Sequence, residues 1–199
     1  MHEFMLEDHK RYYKQFQLKY FNLKALINCY TQSLNKAIDI ANQQLNKKHP
    51  ITESKLNLHL SLITYLILKE DYREANKTFQ KLQHSDNWYL KKTNQEWIIK
   101  KNIIELIIQI ELNNTDVVDY KLINFKRKYF QYLKTNERSH IILFVNAVQQ
   151  HYFNNEDTLF INTIAPFFNS QDLTEKDIFI ISFYSWLKAK VHKKIPTTP

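Results

Sequence analysis

The residues best suited to chemistry in this chain do not form a pattern that is typical of a catalytic site. Its eight histidines include no H-E-x-x-H motif and no pair at the i, i+4 spacing that places two ligands on one helix face. The single cysteine, Cys29, has no second cysteine with which to form a disulfide or a cysteine-based zinc site. We therefore expect neither a metal site nor a cofactor.

The chain contains no glycine, although glycine averages about 7% of residues in proteins. Phosphate-binding loops, dinucleotide-binding turns and the hydrolase nucleophile elbow need glycine where the backbone has positive φ or closely approaches a ligand. Glu70 and Glu74 share a helix face, but Lys69, Arg73 and Lys77 beside them indicate surface ion pairs. We expect a protein that is not an enzyme.

Basic residues offer a possible contact with nucleic acid. The formal net charge is +8, and the densest cluster is Lys126, Arg127 and Lys128, between Phe125 and Tyr129. Basic residues interleaved with aromatic rings can bind phosphates and stack on bases. An ordinary amphipathic helix produces the same pattern, and the excess positive charge is spread thinly along the chain. Nucleic-acid binding through this cluster is therefore the alternative hypothesis.

Aromatic residues, at 14% of the chain, suggest a second kind of surface. Most of them are expected in the core. Four aromatic residues and one lysine are candidates for lining a partner-binding groove: Tyr12, Tyr13, Trp88, Tyr89 and Lys92. These residues would contact an unidentified protein or peptide, because tyrosine and tryptophan are enriched where proteins bind one another.

The apolar periodicity that must position these residues is helical along the whole chain, with no period-two strand signal. The stretch 97–112 is apolar around nearly its whole circumference, and we expect it to be the buried centre of a helix covering 87–112. A second helix over 22–47 is predicted to carry one apolar stripe that includes Leu23, Ile27, Tyr30 and Ala37. The side chains at Val118, Leu122, Phe125 and Tyr129 are predicted to form the inner face of a helix over 115–133.

Helices over 54–68 and 71–83 are joined by a turn short enough to make them antiparallel neighbours. In the second of them Tyr72, Ala75, Phe79 and Leu82 follow the order aromatic, small, aromatic, apolar. This hairpin, at about residues 56–83, resembles a tetratricopeptide repeat; Ile63 and Leu66 depart from the pattern of the family's first helix. The resemblance implies an all-α, right-handed α-solenoid of about eight helices, which binds a protein or peptide on a helical-repeat surface.

The predicted organisation is a single domain over residues 1–199. Hairpins are expected at 1–48, 52–84, 85–134 and 136–169, followed by a C-terminal helix at 174–191. That last helix is apolar on most sides, so it either folds back to bury Phe179 and Trp186 or meets a second chain; we expect the monomer. The first residues do not resemble a secretory signal, which predicts a cytoplasmic protein without a membrane segment.

Overall fold

The structure is a computed structural model that describes residues 2–31, 33–48, 50–136, 138–150, 152 and 178–194. All regular secondary structure in these residues is helical, as the periodicity predicts, and none of it is strand. The helices are α1 (His2–Tyr30), α2 (Leu34–Leu45), α3 (Glu53–Leu68), α4 (Tyr72–Gln80), α5 (Asp86–Leu90), α6 (Gln95–Glu111), α7 (Thr115–Thr135), α8 (Ser139–Gln149) and α9 (Ile178–Lys194). The chain divides into two compact units, Met1–Leu112 and Asn113–Pro199.

In the first unit, α3 is the helix with the most neighbours. It packs against α1, α2, α4 and α6, while α6 also contacts α4 and α5. Both α3 and α6 are buried around most of their circumference, as their nearly continuous apolar sequences require. Ile104 and Ile107 of α6 are fully buried, which confirms the predicted burial of this stretch, although α3 rather than α6 has the most neighbours.

The predicted helix over 87–112 is wrong in one respect, because the structure divides it into α5 and α6. Asn94 adopts an extended backbone, and its side chain accepts a hydrogen bond from the Trp97 amide at 2.9 Å. Thr93 closes the end of α5 through its hydroxyl, which donates to the Tyr89 carbonyl. These two polar side chains satisfy backbone groups that an unbroken helix would have satisfied itself.

The predicted helix over 22–47 is also wrong, because α1 ends at Tyr30 and α2 begins at Leu34. The Ser33 amide donates to the Asn28 carbonyl, and the Thr31 hydroxyl donates to the Ile27 carbonyl, so the chain turns here. The two helices then pack on one another. The predicted single stripe is thereby divided: Ala37 is buried, whereas Leu23, Ile27 and Tyr30 are exposed.

Two turns need the left-handed backbone region without glycine. Glu70, between α3 and α4, has φ 61°, and Asn113, after α6, has φ 57°. Asparagine tolerates this conformation better than most residues, because its short polar side chain can form local hydrogen bonds. Glu70 allows the tight reversal that makes α3 and α4 the expected hairpin.

In the second unit, α7 packs against α8, and α8 packs against α9. The predicted inner face of α7 is confirmed: Val118, Leu122, Phe125 and Tyr129 are all buried. Helix α9 folds back onto α8, and this buries Trp186 and half-buries Phe179. Residues 153–177, which include most of the second helix of the predicted hairpin 136–169 and the start of the predicted helix 174–191, lie outside the described residues.

The packing of α9 on α8 combines aromatic contact with one hydrogen bond. The Phe144 ring lies 5.7 Å from that of Phe183 and 6.4 Å from that of Trp186. The Tyr184 hydroxyl donates to the His140 carbonyl at 2.6 Å, and burial raises the pKa of this tyrosine. The aromatic side chains of helix α9 thus pack against α8 within the second unit.

Candidate partner-binding pocket

Helices α2, α3 and α5 and the C-terminal end of α4 surround a pocket of about 260 Å³ in the first unit. Its wall combines imidazole, hydroxyl, ammonium and aromatic groups. The side chains that matter most for binding are His59, Thr78, Lys81, His84, Trp88 and Tyr89. We refer to this site as the α5 pocket.

The aromatic wall of the α5 pocket is held by the short helix α5. The Ser85 hydroxyl caps this helix by accepting a hydrogen bond from the Trp88 amide at 3.3 Å. The Trp88 ring stacks on the His84 ring, with centroids 3.8 Å apart, and meets the Tyr89 ring edge-on at 5.1 Å. The Lys92 ammonium lies 6.0 Å from the centroid of the Trp88 ring. The structure therefore brings together three of the five predicted partner-binding residues.

Tyr89 is the supporting member of this wall. Its side chain is fully buried, its ring lies 5.0 Å from that of Trp97, and its hydroxyl accepts a hydrogen bond from the His84 amide. Burial raises the pKa of its phenol. Tyr89 thus fixes the position of the half-buried Trp88, which is the aromatic side chain that a partner can reach.

An ion pair anchors α5 to α6 behind the pocket. The Lys101 ammonium donates to Asp86 Oδ1 at 2.9 Å, and Asn102 Nδ2 lies 3.4 Å from the other carboxylate oxygen. The same ammonium is 5.7 Å from the Phe79 ring and 5.8 Å from the Tyr89 ring. Such an arrangement gives a short helix a defined orientation that its own five residues could not maintain.

The lining of the α5 pocket also includes polar residues and the positively charged Lys55 and Lys81. His59 Nε2 lies 3.0 Å from the Thr78 carbonyl oxygen. Burial lowers the pKa of His59; the hydrogen bond to Thr78 opposes this effect, and the positive charges of Lys81 and Lys55 add to it. Among the described residues that line this pocket, none is acidic. The pocket therefore favours a group with negative charge.

Sequence reasoning missed His59, Lys81 and His84. His59 interrupts the leucine-rich sequence of α3, and this interruption was the one available signal. Tyr12 and Tyr13 fall within α1, but their side chains lie outside the described residues, so the structure does not place them in the α5 pocket.

The basic cluster of the alternative hypothesis is in the second unit. Lys126 is half-buried: its ammonium donates to Asn146 Oδ1 at 2.8 Å and to Gln149 Oε1, and burial lowers its pKa. Arg127 and Lys128 are exposed, and Arg127 donates to the neighbouring Asn124 side chain. The three basic residues thus do not point outward together, because Lys126 joins α7 to α8.

Within the part of the chain that the structure describes, no group of three or more histidine, cysteine, aspartate or glutamate side chains could hold a metal ion. None of the helices among those residues combines the length and the apolar character of a membrane span. Comparison with protein-family models, with curated proteins and with solved structures finds no match for this chain. The proposals that follow therefore depend on its own residues and geometry.

Proposed function

We propose that this chain is a non-enzymatic interaction protein, which binds a short segment of another protein in the α5 pocket. The observation that carries the proposal is the half-buried Trp88 ring beside a positively charged polar wall. Tryptophan in a preformed pocket is typical of the few residues that dominate binding energy in protein interfaces. At about 260 Å³ the pocket is smaller than the roughly 300–1,000 Å³ of most small-molecule sites, so it suits one or two peptide side chains.

The charge of the α5 pocket indicates which kind of peptide segment it would bind. With Lys55 and Lys81 in its lining, the favoured ligand presents an acidic side chain together with an apolar or aromatic one. The acidic group would lie near Lys81, and the apolar group would contact the Trp88 ring. Cationic segments would be disfavoured by like charge.

A right-handed α-solenoid similar to tetratricopeptide proteins is part of the proposal. Its support is the succession of contacts in the first unit, in which α3 packs against α2 and α4, its neighbours along the chain, and also against α1 and α6. Stacked helical hairpins bury their apolar faces against the preceding and following hairpins in this manner. We propose a monomer in the cytoplasm, a compartment that suits the single free thiol of Cys29.

Nucleic-acid binding through Lys126, Arg127 and Lys128 has less support, because Lys126 already contacts Asn146 and Gln149. The two hypotheses differ in their response to salt. Binding that depends on several phosphate contacts falls by orders of magnitude between about 50 and 200 mM salt, whereas binding centred on Trp88 changes much less.

Peptide selection on the intact protein tests the proposal. A random phage-displayed library is panned on the full chain, and the selected peptides are synthesised with a fluorophore and titrated by fluorescence anisotropy. We expect acidic residues to be enriched in them, and we expect Trp88→Ala to weaken their binding at least about tenfold, which corresponds to about 1.4 kcal/mol. Lys81→Glu should also weaken binding.

The matched control is Tyr120→Ala, which removes a 70% exposed aromatic residue from α7. It should leave the dissociation constant within about twofold of the wild-type value. If the selected peptides bind Trp88→Ala as tightly as the wild type, or if they bind the basic cluster instead, the α5 pocket is not the partner site.

A further inference from the structure

Helix α1 has a second apolar face that is largely exposed in the described structure. Five large apolar side chains along this helix are between 53% and 70% exposed, although monomeric proteins seldom expose contiguous apolar surface without a use for it. They are Phe16, Tyr20, Leu23, Ile27 and Tyr30. We refer to this set as the outer stripe.

The outer stripe is a continuous line along the helix. Successive members are separated by four, three, four and three residues, so at 3.6 residues per turn they fall within a sector of about 80°. Leu18 and Ala25, which are buried in the first unit, point in about the opposite direction. Helix α1 thus has two apolar faces: the one with Leu18 and Ala25 is buried in the first unit, and the outer stripe is mostly exposed.

The spacing of the outer stripe is that of the contact line between two paired helices. Repeats of four and three residues correspond to positions d and a of a heptad, with Phe16, Leu23 and Tyr30 at d and Tyr20 and Ile27 at a. Side chains at these positions insert between those of a second helix.

The charges beside the outer stripe determine which helix can pair with it. Residues 16–30 contain Lys19 and Lys24 and no acidic residue. In the heptad register Lys19 is at g and Lys24 at the following e, the positions that pair across a helix interface. In a parallel dimer of this chain Lys19 would face Lys24 of the second copy, and an antiparallel dimer would supply no acidic residue at either position.

We propose that the outer stripe docks an amphipathic helix of another protein, whose apolar line is flanked by glutamate or aspartate at positions e and g. The outer stripe accommodates about 15 residues of such a helix, since residues 16–30 of α1 extend over about 21 Å. This surface goes beyond the α5 pocket, because the two sites share none of their residues. A protein with both sites joins two partners.

The test uses two synthetic helical peptides of three heptads, with isoleucine at a and leucine at d. One has glutamate at every e and g position, and the other has lysine there. Fluorescence anisotropy with the full chain at 100 mM NaCl should show binding of the acidic peptide at least about tenfold tighter than that of the basic peptide. Exchange of both Lys19 and Lys24 for glutamate should reverse this preference.

Substitutions within the stripe provide the second arm. Leu23→Glu combined with Ile27→Glu should weaken binding of the acidic peptide by more than tenfold, while Ile123→Glu on α7, which changes an equally exposed apolar residue, leaves it unchanged. Trp88→Ala should also leave it unchanged, so a failure of the α5 pocket and a failure of the outer stripe are distinguishable.

Four results would overturn the proposal. The first is that the acidic peptide does not bind, and the second is that both peptides bind equally. The third is that light scattering shows a wild-type dimer, which Leu23→Glu combined with Ile27→Glu dissociates. The fourth is that those two substitutions lower Tm by several degrees. The third result would make a second copy of this chain the occupant. The fourth would mean that the stripe packs within its own chain.

Discussion

Removal of the Lys101 ammonium should destabilise the first unit, because this group forms a largely buried ion pair with Asp86. Its Nζ lies 2.9 Å from Asp86 Oδ1, and the two side chains are only 10% and 22% exposed. Lys101→Met keeps most of the aliphatic stem but leaves the Asp86 carboxylate without its cation. Loss of one partner of a buried pair costs about 3–5 kcal/mol, and we expect about 3 kcal/mol because Asp86 keeps some contact with water.

A double-mutant cycle separates the ion pair from the packing of the lysine stem. Asp86→Asn in the Lys101→Met background removes the uncompensated carboxylate, so the double variant should be more stable than the sum of the two single losses predicts. We expect a coupling of about 1–2 kcal/mol. Asn102, which also contacts Asp86, is left unchanged in all four proteins of the cycle.

Urea unfolding followed by tryptophan fluorescence measures these differences. A Trp186→Phe background removes the tryptophan of the second unit, so the signal comes from Trp88 and Trp97 in the first unit. Lys101→Met should also weaken binding of the selected peptides, because the ion pair orients α5. A loss below about 0.5 kcal/mol with additive single effects would refute the reasoning, since surface pairs behave in that way.

Three further changes have expected outcomes in urea unfolding, followed by Trp88 and Trp97 for the first unit and by Trp186, with the Trp186→Phe exchange omitted, for Tyr184 in the second unit. Ile107→Ala in the fully buried centre of α6 should lower the free energy of unfolding by about 2–5 kcal/mol, and a near-neutral result would contradict the burial of that helix. Tyr184→Phe removes the hydrogen bond that its hydroxyl donates to the His140 carbonyl, so it should cost about 1 kcal/mol while light scattering still shows a monomer. The folded-state pKa of His59 is below its unfolded value of about 6.5, so the unfolded state binds more protons and the free energy of unfolding falls as the pH drops through about 6.5. His59→Gln should reduce the dependence of the free energy of unfolding on pH between pH 7.5 and 5.5. An unchanged pH dependence would exclude His59 as its source.

The helical architecture could be predicted because the apolar residues repeat with the helical period over long stretches. The inner face of α7 is the clearest example, since Val118, Leu122, Phe125 and Tyr129 recur at spacings of four and three residues and are all buried. The interruptions between α1 and α2, after Tyr30, and between α5 and α6, before Asn94, could not be predicted from periodicity, because helix-forming residues continue on both sides of each. Capping side chains decide such breaks, and asparagine and threonine also occur within helices.

The residues of the candidate site could also be predicted only in part. Trp88, Tyr89 and Lys92 were among the predicted residues, because tryptophan and tyrosine are enriched where proteins bind one another. His59 was not, since its role depends on contact with Thr78, which lies 19 residues away and meets it only after α3 and α4 pair. The exposure of Leu23 and Ile27 was also missed, because periodicity identifies apolar faces but does not say which of two opposed faces will be covered.

The chain has three tryptophans, and their indole N–H resonances in an NMR spectrum provide the most direct measurement of whether the α5 pocket binds the partner. Trp88 lies half-buried in the pocket, whereas Trp97 and Trp186 are buried in the first and second units. Assignment by single Trp→Phe variants precedes titration with a selected acidic peptide. We predict a large shift of the Trp88 signal that saturates with the binding isotherm, a smaller one for Trp97 and none for Trp186. A peptide that binds with full affinity while the Trp88 resonance stays in place would contradict the proposal that this pocket receives the partner.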